Sequence, residues 1–313
     1  MKKVALVFPG QGSQVIGMGK DVFHTYDRVK DCFHVGENLL GYPILDLMFN
    51  GPEEELTKTE NAQPALLLTS IGILRELEAQ GVQATVTAGH SLGEYSAMVA
   101  AGAISFEEAL PLVHERGKLM EKAFPSGKGA MAAVLGLNAE EIQTTLEQIN
   151  AGEEIVDIAN YNCPGQIVIS GTKQGVQRAS EFLKDKGAKR VIELNVSGPF
   201  HSRLMKPASE SFSEVLQNIK FQDSNVPVVM NVSANASSKK EELQDALERQ
   251  LYSPVQWEET IRSILDMDVD AIVEVGSGKV LSGLVRKVER RMKTFSVQDT
   301  DSLNEFINWY KED

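Results

Sequence analysis

Ala88-Gly89-His90-Ser91-Leu92-Gly93-Glu94 sets one serine between two glycines, after the β-branched run Thr85-Val86-Thr87 and before the small residues Ser96, Ala97, Ala100 and Ala101. The pattern is G-x-S-x-G in a strand-turn-helix setting, where a serine is forced into a tight turn with its hydroxyl exposed above a sheet. Glycine at 89 and 93 lets strand and helix approach where any Cβ would clash. A helix starting near Ser91 would turn its unpaired N–H groups and positive dipole end toward negative charge developing there. The same residues also fit a capping box, Ser91-x-x-Glu94, a helix start with no chemistry. That accounts for Ser91 and Glu94 but not for the flanking glycines or His90, so the turn reads as the seat of a nucleophile, with a capping box expected beside it.

The rest of the chain arranges itself around this turn. Residues 4–8 form a compact apolar run ended by Pro9-Gly10-Gln11-Gly12, a buried strand feeding a glycine-rich loop. A helical region follows to about Leu47, Asn61-Ala62-Gln63-Pro64 opens a helix closed by Gly81, and another helix is expected over 106–123. The rhythm changes over 126–196: strands at 130–135, 155–159, 166–170 and 190–194 with helices at 139–149 and 173–186 give the order βαββαβ, the ferredoxin-like split motif. A helix over 202–219, a strand over 226–232, a helix over 240–251, a strand over 271–275 and a helix over 279–290 follow. Strands alternating with helices imply a mostly parallel sheet covered on both faces. The expected fold is α/β: an α/β-hydrolase-like core from 1–125 and 197–313, with a ferredoxin-like subdomain inserted at 126–196.

Composition narrows the function. With 31 Lys and Arg against 44 Asp and Glu, the formal charge of -13 argues against general nucleic-acid binding. The apolar run at the N-terminus stops at Pro9, short of a signal peptide's core, and the stretch 65–74 contains Thr69 and Ser70 and is too short to span a bilayer. Cys32 and Cys163 form no disulfide framework and lack metal-ligand spacing. The expectation is a cytoplasmic protein with neither membrane nor nucleic acid as partner.

A serine nucleophile needs a base. His90 adjoins Ser91, but neighbours on a sharp turn point apart. His201 lies in the turn-rich Ser197-Gly198-Pro199-Phe200-His201-Ser202, a loop position of the kind that carries catalytic groups, though an ordinary surface histidine fits as well. Arg116 falls in the apolar stripe of Ala109, Leu112, Val113, Leu119 and Met120, with no carboxylate three or four residues away. An arginine turned inward must find an anion elsewhere, either a distant Asp or Glu or a substrate carboxylate gripped by the guanidinium. Gly10-Gln11-Gly12 could offer a backbone N–H to an oxyanion, at the carboxyl end of a parallel strand where such sheets bind ligands. Gly276-Ser277-Gly278 follows a strand, but Leu281 replaces the third glycine of a dinucleotide loop.

With Gly10-Gln11-Gly12-Ser13-Gln14, Gly89-His90-Ser91-Leu92-Gly93-Glu94, Arg116, Pro199-Phe200-His201-Ser202 and the stretch from Gln250 to Trp257 in order, the chain closely resembles the malonyl-CoA:acyl carrier protein transacylases of bacterial type II fatty-acid synthesis, nearly end to end. The resemblance implies Ser91 as nucleophile, His201 as its base and the Gln250 carbonyl as the group orienting His201, a dyad with no carboxylate in the third role. It implies an oxyanion hole from the N–H groups of Gln11 and Leu92, Arg116 on the malonyl carboxylate, Phe200 as a mark of malonyl over methyl-branched substrates, and Asn162 at the cleft border among the substrate-binding residues. Malonyl-CoA would be donor and an acidic acyl carrier protein acceptor, with no cofactor of the enzyme's own. Against a net charge of -13, docking would need a local basic patch. Arg286, Lys287, Arg290, Arg291 and Lys293 form the densest run, and Lys184, Lys186, Lys189 and Arg190 a second. The alternative is an α/β-hydrolase-type thioesterase or esterase with water as acceptor; a binding module without catalysis is the reading from another class.

Overall fold

The computed structural model describes residues 2–125 and 127–312; Ser126, where the inserted segment was expected to begin, and the termini Met1 and Asp313 lie outside the described residues. Among the described residues ten strands form two sheets. The larger contains β1 (Val4–Phe8), β2 (Ala84–Gly89), β7 (Val228–Val229), β8 (Ala236–Ser237), β9 (Ala271–Val275) and β10 (Thr294–Val297), the smaller β3 (Gly129–Leu135), β4 (Val156–Cys163), β5 (Gln166–Thr172) and β6 (Arg190–Glu193).

The large sheet runs β10-β9-β1-β2-β7-β8, and every pairing in it is parallel except β7 with β8. Its central strand β1 is apolar throughout because both faces are covered. Along β1, Val4, Leu6 and Phe8 enter one core while Ala5 and Val7 enter another on the opposite face. The small sheet is antiparallel in the order β4-β5-β3-β6, with helices Ala139–Asn150 and Lys173–Asp185 against it and a core of its own. At β4 the small sheet meets the loop before Trp257, where Tyr161 N–H donates to the Val255 carbonyl at 2.9 Å and Val255 N–H to the Ala159 carbonyl at 2.8 Å.

Two stretches differ from expectation. The strand over 226–232 shrinks to Val228–Val229, because Pro227 has no N–H for the ladder and the chain leaves the sheet at once to turn back, Met230 N–H meeting the Asn235 carbonyl. The helix over 202–219 opens instead as a 3-10 turn, Arg203–Met205, before Lys206–Leu216. The sequence reading passed over Trp257–Leu265, β10 and the closing helix Thr300–Lys311. No described helix is long and apolar enough to cross a membrane.

Candidate active site

Between the end of β2 at Gly89 and the helix Gly93–Ala100 the chain reverses within three residues. Ser91 adopts φ 51°, a left-handed conformation that a side chain rarely tolerates. A Cβ on Gly89 would stand 1.9 Å from the Gly93 carbonyl, and one on Gly93 would stand 2.0 Å from the Phe8 oxygen, so the flanking glycines answer to backbone contact. Asn231 clamps the turn, its Oδ1 accepting Ser91 N–H at 2.7 Å and its Nδ2 donating to the Gly89 carbonyl at 2.6 Å.

The expected capping box is absent. The left-handed backbone turns Ser91 Oγ into the cleft, the helix starts at Gly93 with no side-chain cap, and Glu94 is buried with its carboxylate accepting from Asn231 N–H and from the Gln250 amide. Burial pushes the Glu94 carboxyl up to about 7, against the pull of those hydrogen bonds and of Arg116.

His201 is buried on its loop, also left-handed at φ 57°, with Ser202 Oγ bonded to the Pro199 carbonyl at 2.6 Å and His201 N–H to Leu251 at 3.2 Å. Its Nε2 lies 2.7 Å from Ser91 Oγ and its Nδ1 2.8 Å from the Gln250 carbonyl. A carbonyl only accepts, so Nδ1 carries the proton and the Nε2 lone pair faces the serine hydroxyl. Burial, and then the Arg116 charge, push the imidazole down to about 3, so it stays neutral at neutral pH. His90 turns away, Nε2 2.8 Å from Asn162 Oδ1 and its ring edge-on to Trp257.

Arg116 is 1 % exposed in the helix Phe106–Lys122. That helix lies close to Thr59–Ala79, since a Cβ on Gly117 would be 2.7 Å from Glu60 Cα. The approach brings Gln63 within reach: one terminal nitrogen of Arg116 donates to Gln63 Oε1 at 2.7 Å, the other to Gln250 Oε1 at 2.8 Å and toward Ser91 Oγ at 3.3 Å. The guanidinium sits over the Tyr95 ring. Among the described residues no carboxylate pairs with it directly. A full positive charge is thus buried against neutral oxygens beside the serine, an arrangement that favours an anion entering the cleft.

The cleft is a cavity of about 440 Å³ between the two sheets. Ser91, Leu92, Gln11, Arg116, Phe200 and His201 line it from the large sheet's side, and Asn160, Asn162 and Gln166 from the small one's. The N–H groups of Gln11 and Leu92 donate to no protein group among the described residues. Gln250 is fully buried behind the cavity and acts from there through its carbonyl and amide. Asn162 borders the cavity, but its amide oxygen is engaged by His90.

Lys287 Nζ donates to Gln166 Oε1 at 2.9 Å, which sets the exposed face of the helix Val280–Val288 at the cavity mouth, with Arg286, Arg290 and Arg291 exposed on and beyond it. A dinucleotide site at Gly276-Ser277-Gly278 is ruled out: the Glu274 carboxylate takes the Leu281 and Ser282 N–H groups at 3.0 and 2.8 Å, and Ser277 Oγ bonds the Ser13 carbonyl.

Three residues of this site escaped sequence reading. Gln63 was absorbed into a helix opening, Glu94 into a cap and Asn231 into an apolar strand. The last two carried a signal, a lone polar group inside an otherwise small or apolar run.

An acyl transferase domain family matches residues 5–302. Malonyl CoA-acyl carrier protein transacylase of Bacillus subtilis (strain 168) is 50 % identical over 313 residues, 100 % of this chain and 99 % of that protein. The structure of an acyl carrier protein S-malonyltransferase from Vibrio cholerae superposes with a TM-score of 0.94 at 43 % identity, covering 97 % of this chain and 99 % of that one. A malonyl-transacylase solved in complex with a type II PKS acyl-carrier protein superposes at 0.95 and 43 % identity, covering 98 % and 99 %. The chain belongs to the acyl transferase family and, within it, to the malonyl CoA-acyl carrier protein transacylases.

Proposed function

We propose that this chain moves the malonyl group of malonyl-CoA onto the phosphopantetheine thiol of an acyl carrier protein, for fatty-acid synthesis, through a malonyl ester on Ser91. The observation that carries the reading is Arg116, a buried cation with no carboxylate partner among the described residues, whose terminal nitrogen lies 3.3 Å from Ser91 Oγ. It is set to hold the distal carboxylate of a malonyl group whose thioester carbon meets the serine. His201 Nε2 takes the Ser91 proton as Oγ attacks that carbon, and the N–H groups of Gln11 and Leu92 meet the oxyanion. The C–S bond then breaks and His201 returns the proton to the CoA sulfur. In the second half the carrier thiol gives its proton to His201, its sulfur attacks the ester, and Ser91 Oγ leaves with that proton. These steps need no cofactor beyond the two thiol carriers. Phe200 and Asn162 are assigned to the walls around the acyl group and the entering thiol arm.

The finer architecture belongs to the same reading. We infer a ferredoxin-like unit over 126–196, from the antiparallel order β4-β5-β3-β6 joined by two helices, on a hydrolase-like core formed by 1–125 and 197–313. An acidic carrier would dock at the cavity mouth on Arg286, Lys287, Arg290 and Arg291. A cytoplasmic location goes with this substrate and with two buried free cysteines.

Intact-mass measurement tests the function. Mixing with malonyl-CoA should add one malonyl group, lost in Ser91→Ala, stable in buffer and discharged on adding a carrier protein bearing its phosphopantetheine thiol. An adduct that water removes as fast as the carrier does would make the chain a thioesterase instead.

A further inference from the structure

The polar groups beneath the serine turn converge on a residue that the mechanism does not use. Glu94 is 0 % exposed in the first turn of the helix Gly93–Ala100. Its Oε1 accepts from Asn231 N–H at 3.0 Å and its Oε2 from Gln250 Nε2. The same Nε2 donates to the Ser91 carbonyl at 2.9 Å, while Gln250 Oε1 accepts from Arg116 at 2.8 Å. A neutral amide therefore stands between a carboxylate and a guanidinium, its N–H end on the anion and its oxygen end on the cation. Turned over, it would aim N–H at the guanidinium, which has no acceptor, and oxygen at Glu94 Oε2 and the Ser91 carbonyl, both of which now accept from its N–H groups. The guanidinium at one end, and Glu94 Oε2 with the Ser91 carbonyl at the other, fix the amide.

We propose that Glu94 is a positioning residue for carboxylate selection: by setting which way the Gln250 amide points, it holds Arg116 aimed at the cleft beside Ser91 while keeping it one amide away from an ion pair of its own. This rests on the reading of Arg116 as the anchor of the acyl carboxylate. A direct Glu94–Arg116 pair would offset the charge that the substrate must find and draw the guanidinium back toward the helix Gly93–Ala100. No acceptor at all on that nitrogen would leave the long side chain free among several rotamers. The bridge through Gln250 avoids both. Asn231 gives Glu94 a second connection, to the backbone of the turn, and through that connection a loss would depress every acyl group alike.

The experiment therefore reads a ratio: the kcat/KM for acylation of Ser91 by malonyl-CoA over that by acetyl-CoA, in the wild type and in Glu94→Gln, Gln250→Met and Arg116→Met. Glu94→Gln keeps the shape and removes the charge. Gln250→Met removes the bridge and keeps the backbone carbonyl on His201, so it carries the test if Glu94→Gln does not fold. Both should lower the malonyl-to-acetyl ratio by about tenfold or more, the order expected for losing a charge-assisted contact. A wild-type ratio in these variants, including equal loss with both substrates, would overturn the role of Glu94. A wild-type ratio in Arg116→Met would instead remove the reading of Arg116, so the two failures are distinguishable.

Discussion

Replacing Arg116 by methionine removes the guanidinium and leaves a straight apolar side chain over the Tyr95 ring. The guanidinium has five N–H donors. One on each terminal nitrogen is committed, to Gln63 Oε1 and to Gln250 Oε1, and another points toward Ser91 Oγ at a long 3.3 Å, which an entering carboxylate oxygen can displace. Each terminal nitrogen thus keeps one N–H for the substrate. Two charge-assisted hydrogen bonds at about 1.5–3 kcal/mol each total about 3–6 kcal/mol, or roughly 10²- to 10⁴-fold in the rate of malonyl transfer. Acetyl brings no carboxylate and should change by less than about tenfold, a limit worth about 1.4 kcal/mol. Stability moves in two directions, since the Gln63 and Gln250 oxygens each lose a donor at about 1–3 kcal/mol while a buried charge is removed. Rapid quench followed by intact mass gives the acylation rate for both thioesters, and urea unfolding shows whether the variant is folded. Equal losses with malonyl-CoA and acetyl-CoA in a folded variant would refute the anchoring role.

Other perturbations bear on the turn, the base and the docking face. Gly89→Ala places a Cβ 1.9 Å from the Gly93 carbonyl, so it should abolish the Ser91 adduct and lower the thermal midpoint by many degrees; an active variant with unchanged melting would disprove the close approach. Because His201 is held down to about 3 in the folded chain against 6.5 when free, the unfolded chain binds the proton first. Stability is intact above 6.5 and lost as pH falls toward 3, so the wild-type advantage over His201→Asn in urea unfolding should shrink by up to about 1.4 kcal/mol per unit in that window, and a constant difference would refute the depressed value. The acid limb of kcat should lie at higher pH for malonyl than for acetyl transfer; coincident limbs would separate Arg116 from His201 electrostatically. Arg286→Glu with Lys287→Glu should raise the apparent KM for the carrier severalfold at low salt and leave acylation by malonyl-CoA alone, whereas an unchanged KM would move the docking face elsewhere.

The parts of the site legible in the sequence are those whose local chemistry is unusual without any partner. Gly89 and Gly93 around a serine, and an arginine inside an apolar stripe, announce a constraint that no ordinary helix or turn imposes. Gln63 is ordinary in its own surroundings and acquires meaning only through a contact 53 residues away along the chain, and Asn231, though a lone polar residue in an apolar run, gives locally no hint of its partner 140 residues away. Glu94 shows the hazard of local rules. Ser91-x-x-Glu94 satisfies the capping pattern, yet the left-handed backbone at Ser91, forced by the contact between Gly89 and Gly93, turns the hydroxyl to His201 and leaves the carboxylate to Gln250 and Asn231. At the scale of the fold, period and turn residues were enough for the strands of both sheets up to β6. They failed at β7, where Pro227 had already marked the run as too short for a full strand.

The charge on Arg116 acts on two residues at once, and this bears on when the base becomes basic. After burial, that charge is the next largest cause holding His201 near 3, a value at which a neutral imidazole is a feeble proton acceptor. Among the described residues no carboxylate offsets it directly; Glu94 is held off by the Gln250 amide. A malonyl carboxylate held by Arg116, as proposed, would supply the missing negative charge, and with it the electrostatic penalty on protonating His201 would fall. On this reading of Arg116, the ring 2.7 Å from Ser91 Oγ would become a better base in the complex that holds a malonyl group, and not in one that holds acetyl. A built-in carboxylate on Arg116 would have made His201 basic at all times and left the anchor already occupied. Keeping Arg116 on amide oxygens would, on the reading proposed for it, couple recognition of the substrate's carboxylate to activation of the serine, through a single charge that both share.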